Sequence, residues 1–201
     1  MRLPRLPPSS PEALALGAVW ATLLDMALAG LALFWAIDAF APPQDLAWKP
    51  LRLDDPPGLA TGVKFRRAAV DRQACRAILR EGGVDLAEAP DRVLGTCAQL
   101  NVVRLRGGVT PLSPAAPVMT CPQALAYAFW DRHDLQPAAR EELGRPVARV
   151  EHYGTYACRN LYNRAEARRS EHAFANALDV AGFRLADGGR VSILADFPQD
   201  T

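Results

Sequence analysis

Apolar residues fill one unbroken stretch near the start of the chain and become periodic only later. From Ala13 to Ile37 the sequence reads ALALGAVWATLLDMALAGLALFWAI, with Thr22 and Asp25 as its only clearly polar members. A helix of this length can cross a hydrocarbon core of about 30 Å. An aspartate at mid-membrane costs about 2.5–3.5 kcal/mol on insertion scales, and the apolar flanks offset that cost. The pattern predicts one transmembrane helix over 13–37, with a buried core helix as the alternative.

The flanks of this stretch predict its orientation. Basic residues precede it and acidic residues follow it, namely Arg2, Arg5, Asp38 and Asp45. This asymmetry favours residues 1–12 inside the cell and the body outside. A cleaved signal peptide is the other interpretation, because AFA at 39–41 resembles a cleavage site. Pro42 directly after that site, and the length of the apolar stretch, favour an uncleaved anchor.

Beyond the anchor, a Pro- and Asp-rich segment at 38–70 shows no sustained period and is interpreted as a tether. Later patterns predict short helices and strands. For example, Cys75, Ile78 and Leu79 recur at helical spacing, and ADGG at 186–189 is a turn between two strands of a hairpin. The predicted helices are 71–81, 120–133 and 137–144, and the predicted strands are 99–108, 146–154, 177–183 and 190–197. Helices placed early and strands placed late favour an α+β fold over 71–201.

Charge and cysteine content narrow the class of protein. The net charge is +1 over 201 residues and no basic run is present, so nothing indicates a nucleic-acid partner. The four cysteines, Cys75, Cys97, Cys121 and Cys158, all follow the anchor and none forms a C-x-x-C motif. An even set in an exported domain predicts two disulfides among three connectivities. We expect Cys75–Cys97 and Cys121–Cys158, with four buried free thiols as the alternative.

Three histidines are the candidates for chemistry. His133 ends a helix, where its charge suits the helix dipole, and His152 lies on an apolar strand face typical of a core residue. His172 differs from the other two histidines, because a carboxylate, Asp179, follows it seven residues later across a bend. Imidazole and carboxylate are both zinc ligands, but this spacing alone is a weak signal. We expect both side chains to face one cleft; the alternative is that Asp179 caps the hairpin or pairs with Arg184.

The residues around His172 and Asp179 carry more information than the spacing of the pair. The pattern S-x-H-x-x-x-x-A-x-D, formed by Ser170, His172, Ala177 and Asp179, resembles the signature of the D-alanyl-D-alanine carboxypeptidases. These zinc peptidases share a fold with lysostaphin and hedgehog domains. A narrower resemblance, to the extensin-like C-terminal domain family of bacterial exported proteins, is carried by the segments CPQALAYAFW, QPAAREELG, YGTYACR and SEHAFANALDVAGFRLADG.

The resemblance implies a hedgehog/DD-peptidase-like domain, with a small antiparallel sheet and flanking helices. His172 and Asp179 match the first two zinc ligands of that group, and Arg159 matches its substrate-holding arginine. Ser170 matches the motif serine, which supports a ligand. The location implied is the bacterial inner membrane, single pass, with the C-terminal domain in the periplasm.

The chain also departs from that pattern. Ala175 stands where the peptidases usually have glycine, and no histidine follows His172 to supply a third ligand. The chain is therefore interpreted as truncated or degenerate, with at best weak zinc binding. Two functions follow: a membrane-anchored domain acting on or binding cell-wall peptide, or a non-catalytic envelope module that binds wall polymer or is purely structural.

Overall fold

The computed structural model describes residues 11–196, which form a long N-terminal helix followed by an α+β body. The helices are α1 Pro11–Phe40, α2 Thr61–Val70, α3 Arg72–Glu81, α4 Cys121–Trp130, α5 Gln136–Leu143 and α6 Ile193–Asp196. The strands are β1 Asp85–Glu88, β2 Arg92–Leu94, β3 Cys97–Gln99, β4 Val102–Gly107, β5 Leu112–Ser113, β6 Val118–Thr120, β7 Val147–Gly154, β8 Asp179–Leu185 and β9 Arg190–Ser192. The α+β prediction is confirmed. The predicted strand over 190–197 is wrong beyond Ser192, because α6 occupies Ile193–Asp196. Residues 1–10 and 197–201, which include most of the predicted cytoplasmic end, lie outside the described residues.

Helix α1 is apolar on every side and stands apart from the body. Its segment Leu14–Phe40 is long and apolar enough to cross a membrane, and none of the most apolar window is buried against the rest of the protein. A helix that is hydrophobic all round is found in a protein core or in a membrane. Since the body leaves these side chains uncovered, the buried-core alternative is wrong.

The segment expected to be a tether is folded against the end of α1 and into the body. The Trp48 ring lies 5.4 Å from the ring of Phe34, and its indole N–H donates to Asp38 at 2.7 Å. Leu51 and Leu53 are buried in the main core, and α2 occupies the last ten residues of the segment. Scattered apolar residues that pack through tertiary contacts leave no sequence period, which is why the pattern indicated a tether.

Helix α4 lies at the centre of the core. Thr120 caps it by accepting a hydrogen bond from the backbone N–H of Gln123 at 3.2 Å, and Leu125 is fully buried. The described residues form three sheets: antiparallel β1-β4-β6, which packs against α4, the hairpin β2-β3, and β5-β7-β8-β9, in which β5 runs parallel to β7 and the other pairs are antiparallel. Gly144 ends α5 in the left-handed conformation at φ 68°, which glycine adopts without steric cost.

Two disulfides are present, but the expected pairing is wrong. The structure joins Cys75 to Cys121 and Cys97 to Cys158. Helix α3 packs against α4, so the first pair has Cα atoms 6.2 Å apart. Strand β3 packs against the turn that contains His172, and the second pair, 5.8 Å apart between Cα atoms, ties that region together. Pairing cysteines by nearness in sequence failed because these contacts join distant segments.

Candidate functional site

The candidate site is built on a tight turn that leads into β8. Ser170 begins it: the Ser170 hydroxyl accepts a hydrogen bond from the backbone N–H of His172 at 3.3 Å. One 3-10 turn, Glu171–Phe174, follows, and Ala175 ends it at φ 55°. A Cβ makes this left-handed backbone less favourable, so glycine would adopt the conformation of Ala175 at lower cost.

Contacts to the start of α4 hold this turn in place. The backbone N–H of Thr120 donates to the carbonyl of Ala175 at 2.9 Å, and the Thr120 hydroxyl donates to the Asn176 side-chain oxygen at 2.6 Å. The Asn176 amide in turn donates to Glu171 at 2.9 Å. Sequence reasoning missed Thr120 and Asn176, because their contact spans 56 positions and leaves no local pattern.

The turn brings His172 and Asp179 together, as predicted. His172 Nε2 lies 3.1 Å from Asp179 Oδ1, so the two side chains face one site. The His172 side chain is only 11% exposed, whereas that of Asp179 is 54% exposed. The pair therefore opens to solvent on the carboxylate side and is enclosed on the imidazole side.

The second nitrogen of His172 faces a backbone carbonyl. Nδ1 lies 3.3 Å from the oxygen of Thr155, a residue that sequence reasoning also missed. The Thr155 carbonyl and the Asp179 carboxylate both only accept, so a neutral imidazole donates to one of them and turns a lone pair towards the other. With the proton on Nδ1, Nε2 presents its lone pair towards Asp179, which is the form of the ring that binds a metal ion.

The sheet places Asp179 opposite the end of β7. Asp179 is in register with Gly154, and Val180 is in register with His152. The alternative in which Asp179 pairs with Arg184 is wrong, because Arg184 donates to Glu151 on β7 at 2.7 Å. Glu151 also pairs with Arg190, and these two guanidinium groups hold the pKa of the Glu151 carboxyl below its ordinary value.

Arg159 and Ser170 are joined through their backbones. The N–H of Ser170 donates to the carbonyl of Arg159 at 3.1 Å, which brings Arg159 to the edge of the His172 turn. Ser170 is buried, while Arg159 is partly exposed. The structure therefore places both residues beside the pair, and their expected roles towards a substrate stay predictions.

The other two histidines contact backbone carbonyls elsewhere in the fold. His152 is buried, with Nε2 2.9 Å from the carbonyl oxygen of Pro114, and its Nδ1 is buried without a hydrogen-bond partner in the described structure. His133 contacts the carbonyl of Leu53 at 2.8 Å and packs on Phe129. Over residues 11–196, no group of three histidine, cysteine or carboxylate side chains could hold a metal ion together.

The described residues combine an apolar helix, a disulfide-bonded α+β body and a partly exposed histidine–carboxylate pair. A disulfide-bonded domain of this class suits an oxidising compartment, and the pair is its candidate ligand site. Residues 73–201 match the family described as "Extensin-like protein C-terminus", and the chain belongs to this family. No curated protein matched the chain, and no solved structure matched it either.

Proposed function

We propose that this protein is a membrane-anchored envelope domain that binds a divalent zinc ion at His172 and Asp179 and acts on or binds cell-wall peptide. One observation carries the proposal, namely that His172 Nε2 and Asp179 Oδ1 face each other at 3.1 Å while Nδ1 faces the Thr155 carbonyl. If Nδ1 holds the proton, two electron-rich atoms meet. A cation between them, either a second proton or a metal ion, turns that repulsion into attraction.

The pair fits zinc chemically. Zinc ligands bind through nitrogen at about 2.0–2.1 Å and through carboxylate oxygen at about 2.0–2.2 Å, so two ligands of one tetrahedral ion lie about 3.4 Å apart. The observed separation of 3.1 Å needs only a small adjustment. Ligating histidines usually donate their other N–H to a carbonyl or carboxylate, which is the arrangement of His172 and Thr155.

The remaining residues of the site would hold the turn in place and bind the substrate. The Ser170 hydroxyl holds the turn by accepting from the His172 N–H, and burial of the imidazole keeps water away from that side. The Arg159 backbone lies at the edge of the turn, and its guanidinium would bind a substrate carbonyl or carboxylate through paired N–H donors. When bound, zinc would supply Lewis acidity and a more acidic water molecule.

The count of ligands separates the proposal from its alternative. Catalytic zinc has three protein ligands and one open position, whereas the described residues offer two. We therefore expect weak zinc binding and no detectable peptidase activity from the 201-residue chain. The same count favours the second candidate, a non-catalytic module of the cell envelope that keeps the groove for wall polymer.

Zinc titration of the full chain in detergent tests the site. We expect one site with a dissociation constant in the micromolar range or weaker, lost in His172→Ala and in Asp179→Asn. Asp187→Asn is the matched control, because Asp187 is an exposed aspartate in the turn after β8 and pairs with Arg145. Retained binding in both site variants would overturn the metal proposal. Sedimentation with isolated peptidoglycan by metal-free protein would then favour the binding module.

A topology reporter tests the location. The two disulfides support export, since such bonds persist in oxidising compartments. A C-terminal alkaline phosphatase fusion, which is active only in the periplasm, should be active. A fusion that is inactive there, with a C-terminal green fluorescent protein fusion that fluoresces in the cytoplasm, would contradict the proposed orientation.

A further inference from the structure

A cavity of about 380 Å³ lies between the segment that follows α1 and the helices α2 and α3. It is separate from the site at His172, and part of its wall is apolar, including Leu51 and Ile78. Three cations also line it, namely Lys49, Lys64 and Arg67. An apolar wall with a few polar groups is typical of a ligand site.

Helix α1 sets the level of this cavity relative to a membrane. Its apolar segment Leu14–Phe40 has 27 residues, or about 40 Å at 1.5 Å per residue, which matches a bilayer of about 40–45 Å including its headgroups. Trp48 lines the cavity and packs on Phe34, which lies about 9 Å before the end of the helix. Tryptophan is enriched at this boundary between hydrocarbon and headgroups. The cavity therefore lies at the level of the lipid headgroups.

One of the three cations, Lys64, is buried. It is only 3% exposed, and its ammonium donates one hydrogen bond, to the carbonyl of Pro43 at 2.5 Å. Burial lowers the pKa of Lys64, whereas the charges of Asp55 and Asp45 act in the opposite direction without forming an ion pair with it among the described residues. An ammonium has three donors, so an anion in the cavity would stabilise this buried charge.

Arg67 lies on the same face of α2 as Lys64, three residues later. One of its N–H groups donates to the carbonyl of Ala47, and its guanidinium forms no other hydrogen bond within the described part of the chain. Lys49 is already paired with Asp38 at 2.7 Å and has less to offer a ligand. An arginine fork beside an ammonium suits a phosphate group, since the fork supplies paired donors and the ammonium supplies charge.

Two carboxylates line the cavity at the two ends of α3. Asp71 caps this helix by accepting hydrogen bonds from the backbone N–H groups of Gln73 and Ala74, each at 2.9 Å, and Glu81 is its last residue. Carboxylates repel an isolated phosphate but accept from hydroxyl or ammonium groups. A lipid headgroup joins a phosphate to such donors, so it fits this lining better than phosphate alone.

We propose that this cavity holds the headgroup of one phospholipid from the membrane that α1 crosses, with the phosphate between Lys64 and Arg67. This rests on the membrane anchoring proposed above. Because α1 holds the cavity at headgroup level, phospholipid is the phosphate ester that surrounds it at the highest concentration. The apolar wall at Leu51 and Ile78 would contact the glycerol and the first carbons of the acyl chains.

Native mass spectrometry of the full chain in detergent, titrated with phosphatidylglycerol, tests the cavity. Arg66→Gln is the matched control for Arg67→Gln, because both arginines are exposed on α2 and Arg66 does not line the cavity. We expect Arg67→Gln and Lys64→Met each to weaken lipid binding at least fivefold, and Arg66→Gln to leave it unchanged. Diacylglycerol with the same acyl chains, which lacks the phosphate, should bind at least tenfold more weakly. Thermal unfolding checks that Lys64→Met is folded, and Arg67→Gln tests the site without altering a buried side chain.

Three results would overturn the inference. Equal losses in Arg66→Gln and Arg67→Gln would show a general attraction between lipid and surface charge. Equal binding of diacylglycerol would show that the phosphate is not recognised, and displacement of the lipid by an equal concentration of glycerol phosphate would show a soluble ligand. Alkaline carbonate extraction of native membranes tests the anchor separately. Release of the chain would overturn the anchoring together with the lipid assignment, whereas a retained chain that binds no phosphatidylglycerol would overturn the lipid site alone.

Discussion

Two aspartates in the body, Asp131 and Asp179, have opposite surroundings. Asp131 directly follows α4 and is buried, and both of its oxygens accept hydrogen bonds from Thr110, at 2.9 Å from the backbone N–H and 2.5 Å from the hydroxyl. Asp179 is half exposed and has one contact, with His172, whose facing nitrogen carries a lone pair if Thr155 sets the tautomer. The first carboxylate has its hydrogen bonds filled by the fold, whereas the second has them open.

The residues around Asp131 complete the contrast. The Tyr127 hydroxyl donates to the Thr110 carbonyl at 2.7 Å, and the Gln136 amide donates to the Thr110 hydroxyl at 2.6 Å. Burial, and then the nearby Asp131 charge, raise the pKa of Tyr127 far above its ordinary value, so the phenol stays a donor. The donors of the Asp131 cluster are matched, and its acceptor Gln136 Oε1, which has no hydrogen-bond partner among the described residues, is buried. The Asp179 carboxylate differs because it is open to solvent, where a ligand can reach it.

Removal of a disulfide should have the largest effect on stability, and the two disulfides should differ in their effect on zinc binding. They close loops of 46 and 61 residues, and in the chain-entropy model each disulfide stabilises the fold by about 4 kcal/mol. We expect Cys75→Ala with Cys121→Ala, and separately Cys97→Ala with Cys158→Ala, to lower the free energy of unfolding by similar amounts. Only the second pair of changes should also weaken zinc binding, because Cys158 lies in the segment that contains Thr155. Chemical denaturation and zinc titration of both variants measure this; equal zinc affinity in the two would argue against that link.

Substitution of the two aspartates should have unequal effects on stability. Asp131→Ala leaves the buried donors of Thr110 unmatched, so we expect a loss of about 2–4 kcal/mol of unfolding free energy and no change in zinc affinity. Asp179→Ala should cost less, about 0.5 kcal/mol, because its side chain is half exposed and contacts only His172. Tryptophan fluorescence during urea denaturation compares the two variants. A larger loss of unfolding free energy in Asp179→Ala than in Asp131→Ala would contradict the assignment of Asp131 to the fold and Asp179 to the ligand site.

The sequence was sufficient for the elements with a strong local pattern and for the pair itself. Helices α4 and α5 and the proximity of His172 to Asp179 followed from spacing and motif. The disulfide pairing did not follow, and neither did the folded segment before α2. The Asp131 cluster and the Thr155 carbonyl were also missed, because each depends on contacts between residues far apart in the chain.

Glu151 provides a smaller test of what charge partners do for an exposed carboxylate. Its pKa in the folded protein is lowered, first by the hydrogen bond from Arg184 and then by that from Arg190. A lowered folded pKa means that this group stabilises the fold above its unfolded pKa, near the ordinary value of 4.5, and that the contribution is lost as pH falls through the folded pKa. Glu151→Gln should therefore flatten the acid limb of a melting temperature against pH curve slightly. An unchanged acid limb would show that the two arginines contribute nothing to stability at Glu151.

The tautomer of His172 is the most direct test of the proposed site. In full-length protein labelled with nitrogen-15 on histidine, at a pH where the ring is neutral and without metal, the imidazole shifts report which nitrogen carries the proton. When zinc is added, we predict a proton on Nδ1 and a large shift change at Nε2 alone. A proton on Nε2 that donates to Asp179, with no change on adding zinc, would contradict the account, because the pair would then be an ordinary hydrogen bond.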